Sequence, residues 1–91
     1  MVWRIEFLRS AERDLNRLDR PVRRRILSFL HGRLASTDNP RSLGAALRGS
    51  EMGELWRYRV GDWRIVAQIE DNTMRILVVR IDHRRDVYRL L

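Results

Sequence analysis

Seven side chains in the second half of the chain have types that suit chemistry on a phosphodiester: Arg57, Arg59, Arg64, His83, Arg84, Arg85 and Tyr88. A guanidinium offers a planar fork of donors that matches two phosphate oxygens, and its hold strengthens as negative charge builds up in a transition state. An imidazole, with an ordinary pKa of about 6.5, moves protons near neutral pH. A tyrosine stacks on a base, or donates its proton when surrounding cations lower its pKa. Every basic residue of the chain apart from its two histidines is Arg. Arg stays protonated at any ordinary pH, so it stabilises charge and does not serve as a general base.

The spacing of three of these cations follows from a turn. Gly61-Asp62 separates two runs of strand-forming residues, and Gly in first place suits a two-residue type II′ hairpin. That turn sets Val60 opposite Trp63, Arg59 opposite Arg64, Tyr58 opposite Ile65 and Arg57 opposite Val66. Trp56, Tyr58, Val60, Trp63, Ile65, Ala67 and Ile69 then share a core face, and Arg57, Arg59 and Arg64 share the other. Like charges set directly opposite destabilise a strand pair, a cost tolerated where a site binds an anion. The next strand returns beside Trp63-Arg64. Its end therefore brings His83, Arg84 and Tyr88 to the same end of the sheet, giving an expected concave patch of three to five Arg with one His and one Tyr.

The elements that must position this patch are few. Trp3, Ile5 and Phe7 alternate as in a short strand. Ser10 is the expected N-cap of a helix carrying Ala11, Leu15 and Leu18. Asp19-Arg20-Pro21 turns into a second helix with the apolar stripe Val22, Ile26, Phe29, Leu30 and Leu34, ending near Ser36. Thr37 to Pro40 reads as a loop, and Arg41 to Gly53 is weakly patterned, with Leu43 to Leu47 a turn or edge segment. Leu55 to Val60, Trp63 to Glu70 and Met74 to Ile81 read as strands. The order β-α-α-β-β-β predicts an α+β fold, a helical hairpin packed on one face of a small antiparallel-dominated sheet.

At 91 residues the chain is expected to form a single domain, 1–91, with 44% apolar and 34% charged residues. Nineteen basic against twelve acidic residues give a net charge of +7, which attracts nucleic acid or an acidic protein. The absence of Cys excludes disulfides and thiolate catalysis. No apolar run approaches the roughly 20 residues that span a bilayer, and the start is too charged for a signal peptide, so a cytoplasmic protein with no membrane partner is expected.

The stretch Leu55-Trp56-Arg57-Tyr58-Arg59-Val60-Gly61-Asp62-Trp63-Arg64-Ile65-Val66 resembles the second hairpin of the RelE/ParE toxin superfamily. Ile76 to Arg89, with its His-Arg-Arg-Asp-Val-Tyr run, resembles that family's final strand and tail, and Asn39-Pro40 through Gly49 its linker. The resemblance implies a RelE-like fold and the toxin of a type II toxin–antitoxin pair. RelE-like members cut messenger RNA on the ribosome by attack of a ribose 2′-OH on the adjacent phosphate, without metal or cofactor. The resemblance puts the catalytic and RNA-binding role on Arg57, Arg59, Arg64 and Arg84, with Tyr88 and His83 as further catalytic matches and Arg85 as an RNA contact. It implies three partners: a RelB-like or similar antitoxin, the ribosome and messenger RNA. RelE-type enzymes often carry Lys where this chain has Arg57 and Arg59. Proton transfer then falls to His83, Tyr88, Glu51, Glu54 or the ribosome. The alternative within the superfamily is a ParE-like toxin that inhibits DNA gyrase without cutting RNA.

Each residue also has a plainer reading. Arg57, Arg59 and Arg64 suit a solvated sheet face, His83 a strand-end cap, and Tyr88 an anchor for the tail. The run Arg23-Arg24-Arg25 reads as one solvated helix face. Trp3, Trp56 and Trp63 point inward by strand parity.

Overall fold

The computed structural model describes residues 2–47 and 55–84. Strand β1 (Arg4–Phe7) leads into helix α1 (Arg9–Arg17) and helix α2 (Arg20–Ser28). Strands β2 (Ala45–Leu47), β3 (Leu55–Val60), β4 (Trp63–Glu70) and β5 (Arg75–His83) follow. The sheet order is β1-β5-β4-β3-β2; β1 runs parallel to β5, and the other pairs are antiparallel. Both helices contribute to one core with the sheet, so the α+β arrangement of a helical hairpin on a mixed sheet is observed. Three-residue β2 is a strand beyond the expected order. Among the described residues no helix is long and apolar enough to cross a membrane.

The core explains the packing. Ala11, Leu18, Ile26, Leu30 and Leu34 from the helical hairpin meet Tyr58, Ile65, Ala67, Ile69, Ile76, Val78 and Ile81 from the sheet. Burying each larger side chain contributes about 1.5–3 kcal/mol before chain entropy is counted. Beyond Ser28 the second helix widens into a π-helical segment, Phe29–Leu34, closed by Ala35 N donating to Leu30 O at 2.9 Å. The widened turn keeps Leu30 and Leu34 both buried in the core. Asn39 caps the next short segment, its Oδ1 accepting from Arg41 N at 3.2 Å, and Pro40–Leu43 forms a turn of 3₁₀ helix.

Helix α1 begins two residues earlier than the sequence pattern predicts, with Leu8 at the cap position in place of Ser10 and no side-chain cap. Ser10 lies inside the helix, because its hydroxyl has another partner. β1 pairs with β5 only as far as Val78. Past that point the chain is helical, and β5 would present an unpaired edge. Two side chains of α1, four residues apart on one face, take over the pairing. Ser10 Oγ donates to Val79 O at 2.8 Å, and Asp14 Oδ2 accepts from Ile81 N at 2.9 Å.

Asp14 is only 3% exposed and has a cationic partner as well. Arg80 Nη2 donates to its Oδ1 at 3.1 Å, and Arg80 Nε stands 3.0 Å from Oδ2. One carboxylate thus satisfies a strand edge and neutralises a half-buried cation. Replacing Asp14 by Ala is expected to lower stability by about 3–5 kcal/mol, the usual result of stranding one member of a buried ion pair. Urea unfolding of Asp14→Ala checks this, and Ser10→Ala should cost only about 1 kcal/mol.

Candidate phosphodiester-binding site

The Gly61-Asp62 turn has a positive φ of 59° at Gly61 and none at Asp62, the backbone of a type II′ turn. The register it imposes is Val60 opposite Trp63, Arg59 opposite Arg64, Tyr58 opposite Ile65 and Arg57 opposite Val66. Tyr58 and Ile65 are in the core, so Arg57, Arg59 and Arg64 face away from the helices. The three cations line a cavity of 380 Å³ together with Leu43, Gly44, Ala45 and Tyr58.

Each wall of this cavity has a physical cause. Tyr58 is buried, stacks at 5.9 Å on Phe29 and donates its hydroxyl to Pro40 O at 2.9 Å, tying β3 to the 3₁₀ turn. Gly44 then passes so close that a Cβ there would stand 2.6 Å from Arg57 O and 2.8 Å from the Tyr58 ring. A bidentate pair from Arg41 to Asp71, at 3.0 and 2.8 Å, holds the same segment to the β4–β5 turn, and the Arg41 guanidinium lies 5.8 Å from the Trp56 ring. The Arg41 contact holds the Asp71 carboxyl below the usual carboxylate range.

The cations differ in freedom. Arg59 is exposed and makes no hydrogen bond or ion pair with another described residue. Arg64 folds back over the turn, its Nη1 donating to Gly61 O and Trp63 O at 3.0 Å each. Arg84 follows β5, with its backbone N donating to Asp62 O at 2.9 Å and its Nη1 3.8 Å from Asp62 Oδ1.

His83 does not join the Arg face. It pairs with Trp63, and its ring meets the indole edge-on at 5.6 Å and 84°. Trp63 packs against the core, so His83 stands on the helix side of the sheet. The reason is a bulge. Val66 pairs with Arg80 and Ala67 with Val78, leaving Val79 as an extra residue in β5. An extra residue flips the parity of everything after it. Continued alternation from Ile76 and Val78 would have put His83 with the arginines. The bulge instead gives Ile81 and His83 the core face, and it sets Asp82 opposite Arg64 on the cationic side.

Arg57, Arg59 and Arg64 are therefore brought together, Arg84 is tied to the turn beside them, and His83 is separated by the sheet. Arg85, Tyr88, Glu51 and Glu54 lie outside the described residues. Asp82, Gly44 and Asp14 were missed by sequence reasoning. For Asp82 the signal was the spacing Ile76, Val78, Ile81, in which a step of two becomes a step of three. For Gly44 no local signal exists, since the constraint is a contact with β3.

Comparison with known proteins agrees with this geometry. The family described as "ParE toxin of type II toxin-antitoxin system, parDE" matches residues 5–88. Toxin RelG of Mycobacterium tuberculosis is 30% identical over 98% of this chain and 99% of its own length. Toxin RelE of the same organism is 33% identical over 97% of this chain and 88% of its own. Among solved structures, the RelBE2 toxin–antitoxin complex of M. tuberculosis contains a chain that superposes with a TM-score of 0.81 at 28% identity, covering 94% of this chain and 95% of that one. The archaeal RelE–RelB complex of Pyrococcus horikoshii gives 0.73 at 25% identity, covering 92% and 97%. The chain belongs to the RelE/ParE toxin superfamily of type II toxin–antitoxin systems, and the relatives and structures just described are RelE toxins or RelE–RelB complexes.

Two outcomes follow from the cavity wall. Gly44→Ala is expected to displace β3 and lower stability by about 1–3 kcal/mol, as overpacking does, which thermal unfolding measures. Burial pushes the Tyr58 hydroxyl up to about 12, above its ordinary 10. In the window between those values the unfolded chain has lost a proton that the folded chain keeps, so stability falls as pH rises through it. Ultraviolet titration of a Tyr88→Phe variant, which leaves Tyr58 as the sole tyrosine, should show ionisation near the higher value.

Proposed function

We propose that this toxin is a ribosome-dependent endoribonuclease that cleaves messenger RNA, and that Arg57, Arg59 and Arg64 grip the scissile phosphate. The observation that carries the reading is the directly opposed Arg59–Arg64 pair, lining one cavity with Arg57. Opposed cations cost a sheet about 0.2–1 kcal/mol, and a dianionic phosphorus species turns that repulsion into attraction. In the reaction the ribose 2′-oxygen forms a bond to the adjacent phosphorus and the bond to the 5′-oxygen breaks. The products are a 2′,3′-cyclic phosphate and a 5′-hydroxyl, so a proton must leave the 2′-OH and another must reach the leaving oxygen. Guanidinium groups supply the charge stabilisation, and no Arg accepts the first proton. His83 at the rim of the sheet, Tyr88, Glu51, Glu54 and groups of the ribosome are the candidates for proton transfer. Arg84 and Arg85 are assigned as further RNA contacts.

The curated relatives RelG and RelE, and neighbours solved as RelE–RelB complexes, support this reading over a gyrase-directed one. They also support a RelB-like antitoxin as partner, an acidic or amphipathic segment of which would cover the basic face. Selective binding to the folded toxin raises its stability, so the complex should melt well above the free chain.

In vitro translation with primer extension, run with and without ribosomes, tests the activity. Ribosome-dependent breaks carrying cyclic phosphate ends are expected. Intact message accompanied by DNA damage in cells would turn the assignment to gyrase. Arg64→Ala should lose roughly 10²–10³ in cleavage rate, as removal of one oxyanion donor does. Arg59→Gln should lose activity while its thermal midpoint holds or rises, because it removes the opposed charge. A falling midpoint would make the pair structural instead.

A further inference from the structure

Three arginines from different parts of the chain converge on the Gly61-Asp62 turn, and of the three Arg64 alone lines the cavity. Arg64 comes from β4 and donates to the Gly61 carbonyl; Arg84 follows β5 and approaches Asp62. The third is Arg25 of α2. The point a Cβ would occupy on Gly61 lies 3.2 Å from Arg25 Nη2, 3.5 Å from Nη1 and 3.7 Å from Cζ. The guanidinium of Arg25 thus stands beside the turn, within van der Waals reach of the place a side chain on residue 61 would take, while the φ of 59° is what calls for glycine there.

Arg25 is exposed and has no hydrogen bond or ion pair with another described residue. A guanidinium that serves only to hold a turn ordinarily does so by donating to a carbonyl or a carboxylate, as Arg64 and Arg84 do here. The side chain of Arg25 instead stands beside the turn with its donors unspent on described residues. Among the described residues the turn's own carboxylate is Asp62, which Arg84 approaches, and Asp82 is paired opposite Arg64. Arg59, Arg64, Arg84 and Arg25 therefore surround the turn on both sides of the sheet. On the nuclease reading the cavity takes the scissile phosphate on the outer face, and Arg25, which comes from α2, stands across the turn. A positively charged path that tracks the backbone is how single strands are held, and a strand crossing the two-residue turn meets cations before and after it.

We infer that Arg25 forms a second phosphate subsite, which binds an RNA phosphodiester neighbouring the scissile one as the strand crosses the Gly61-Asp62 turn. The inference rests on the nuclease reading for the source of the RNA, and not for the subsite itself. It makes Arg25 a binding residue, so its loss weakens affinity and spares the chemical step. It also distinguishes Arg25 from its neighbours Arg23 and Arg24, which line a separate depression on the outer face of α2 with Arg20, Leu27, Ser28 and His31.

The test compares wild type with Arg25→Ala, Arg25→Lys and the control Arg24→Ala. One arm measures fluorescence anisotropy of a single-stranded oligonucleotide with 2′-deoxy linkages, over a range of salt. The other measures ribosome-dependent cleavage, with KM and kcat separated. Arg25→Ala should bind the oligonucleotide roughly tenfold more weakly, with a salt slope reduced by about 0.7, the value of one phosphate contact on a single strand. Arg25→Lys should recover part of the affinity, Arg24→Ala should be neutral, and the melting temperature should be unchanged. A raised KM with ribosomes but unaltered oligonucleotide binding assigns the subsite to a ribosomal RNA phosphate, the same chemistry from another source. Unaltered binding, salt slope and KM together overturn the subsite. A wild type that binds the oligonucleotide through Arg25 but cuts nothing on ribosomes keeps the subsite and overturns the nuclease reading.

Discussion

The two-residue turn at Gly61-Asp62 is the constraint on which the site depends. A hairpin with a loop of two has one register, and that register sets Arg59 against Arg64. Any longer loop would slide one strand past the other, and a slip of one residue would send both cations into the core. The turn is also where the site's other parts are fastened. Arg64 donates to one of its carbonyls, the backbone of Arg84 to the other, and the Arg25 guanidinium stands beside its glycine. The glycine is required by the hairpin's backbone, whose φ of 59° a side chain would strain.

A second constraint acts through the edge of β5. This strand must carry Asp82, His83 and Arg84 to the turn, yet β1 covers only its first half. Asp14 and Ser10 complete the edge from a helix, so the end of the strand is held by side chains in place of a neighbouring strand. The arrangement solves two problems with one carboxylate, since Arg80 would otherwise bury a lone charge. It also links the helical hairpin to the site. The same helix pair that supplies Asp14 supplies Arg25, so displacement of the hairpin would disturb both ends of the cationic surface.

Much of this was legible in the residues. The period-two runs fixed β3 and β4, and the turn residues fixed their register, because both are local properties. The stripe of Ile26, Leu30 and Leu34 identified the second helix, though not its π-helical end, which depends on the fit of Leu30 and Leu34 into the core. What could not be read locally were the contacts between elements. Ser10 has the right chemistry for a helix cap and is drawn away by a strand carbonyl 69 residues distant in sequence. Gly44 is constrained by β3, and β2 exists only as an edge for β3 to pair with. The return of the last strand beside Trp63-Arg64 brings His83 to the same end of the sheet as the arginines, but the one bulged residue, Val79, sets it on the opposite face.

That reversal bears on how a site without lysine would work. Arg57, Arg59 and Arg64 form a face that stabilises negative charge and exchanges no protons at ordinary pH. The imidazole is kept off that face, set against Trp63, and the residue that replaces it opposite Arg64 is the carboxylate of Asp82, its Oδ1 accepting from His83 N at 2.8 Å. On the proposed reading the sheet thus separates two tasks. One side holds the phosphate, with the Asp82 carboxylate paired opposite Arg64 on that face, and the imidazole stands on the other side of the sheet. On the same reading the arginines bind the polyanion and accept no proton from it, and the ribosome contributes by setting the 2′-OH in line for attack on the phosphorus.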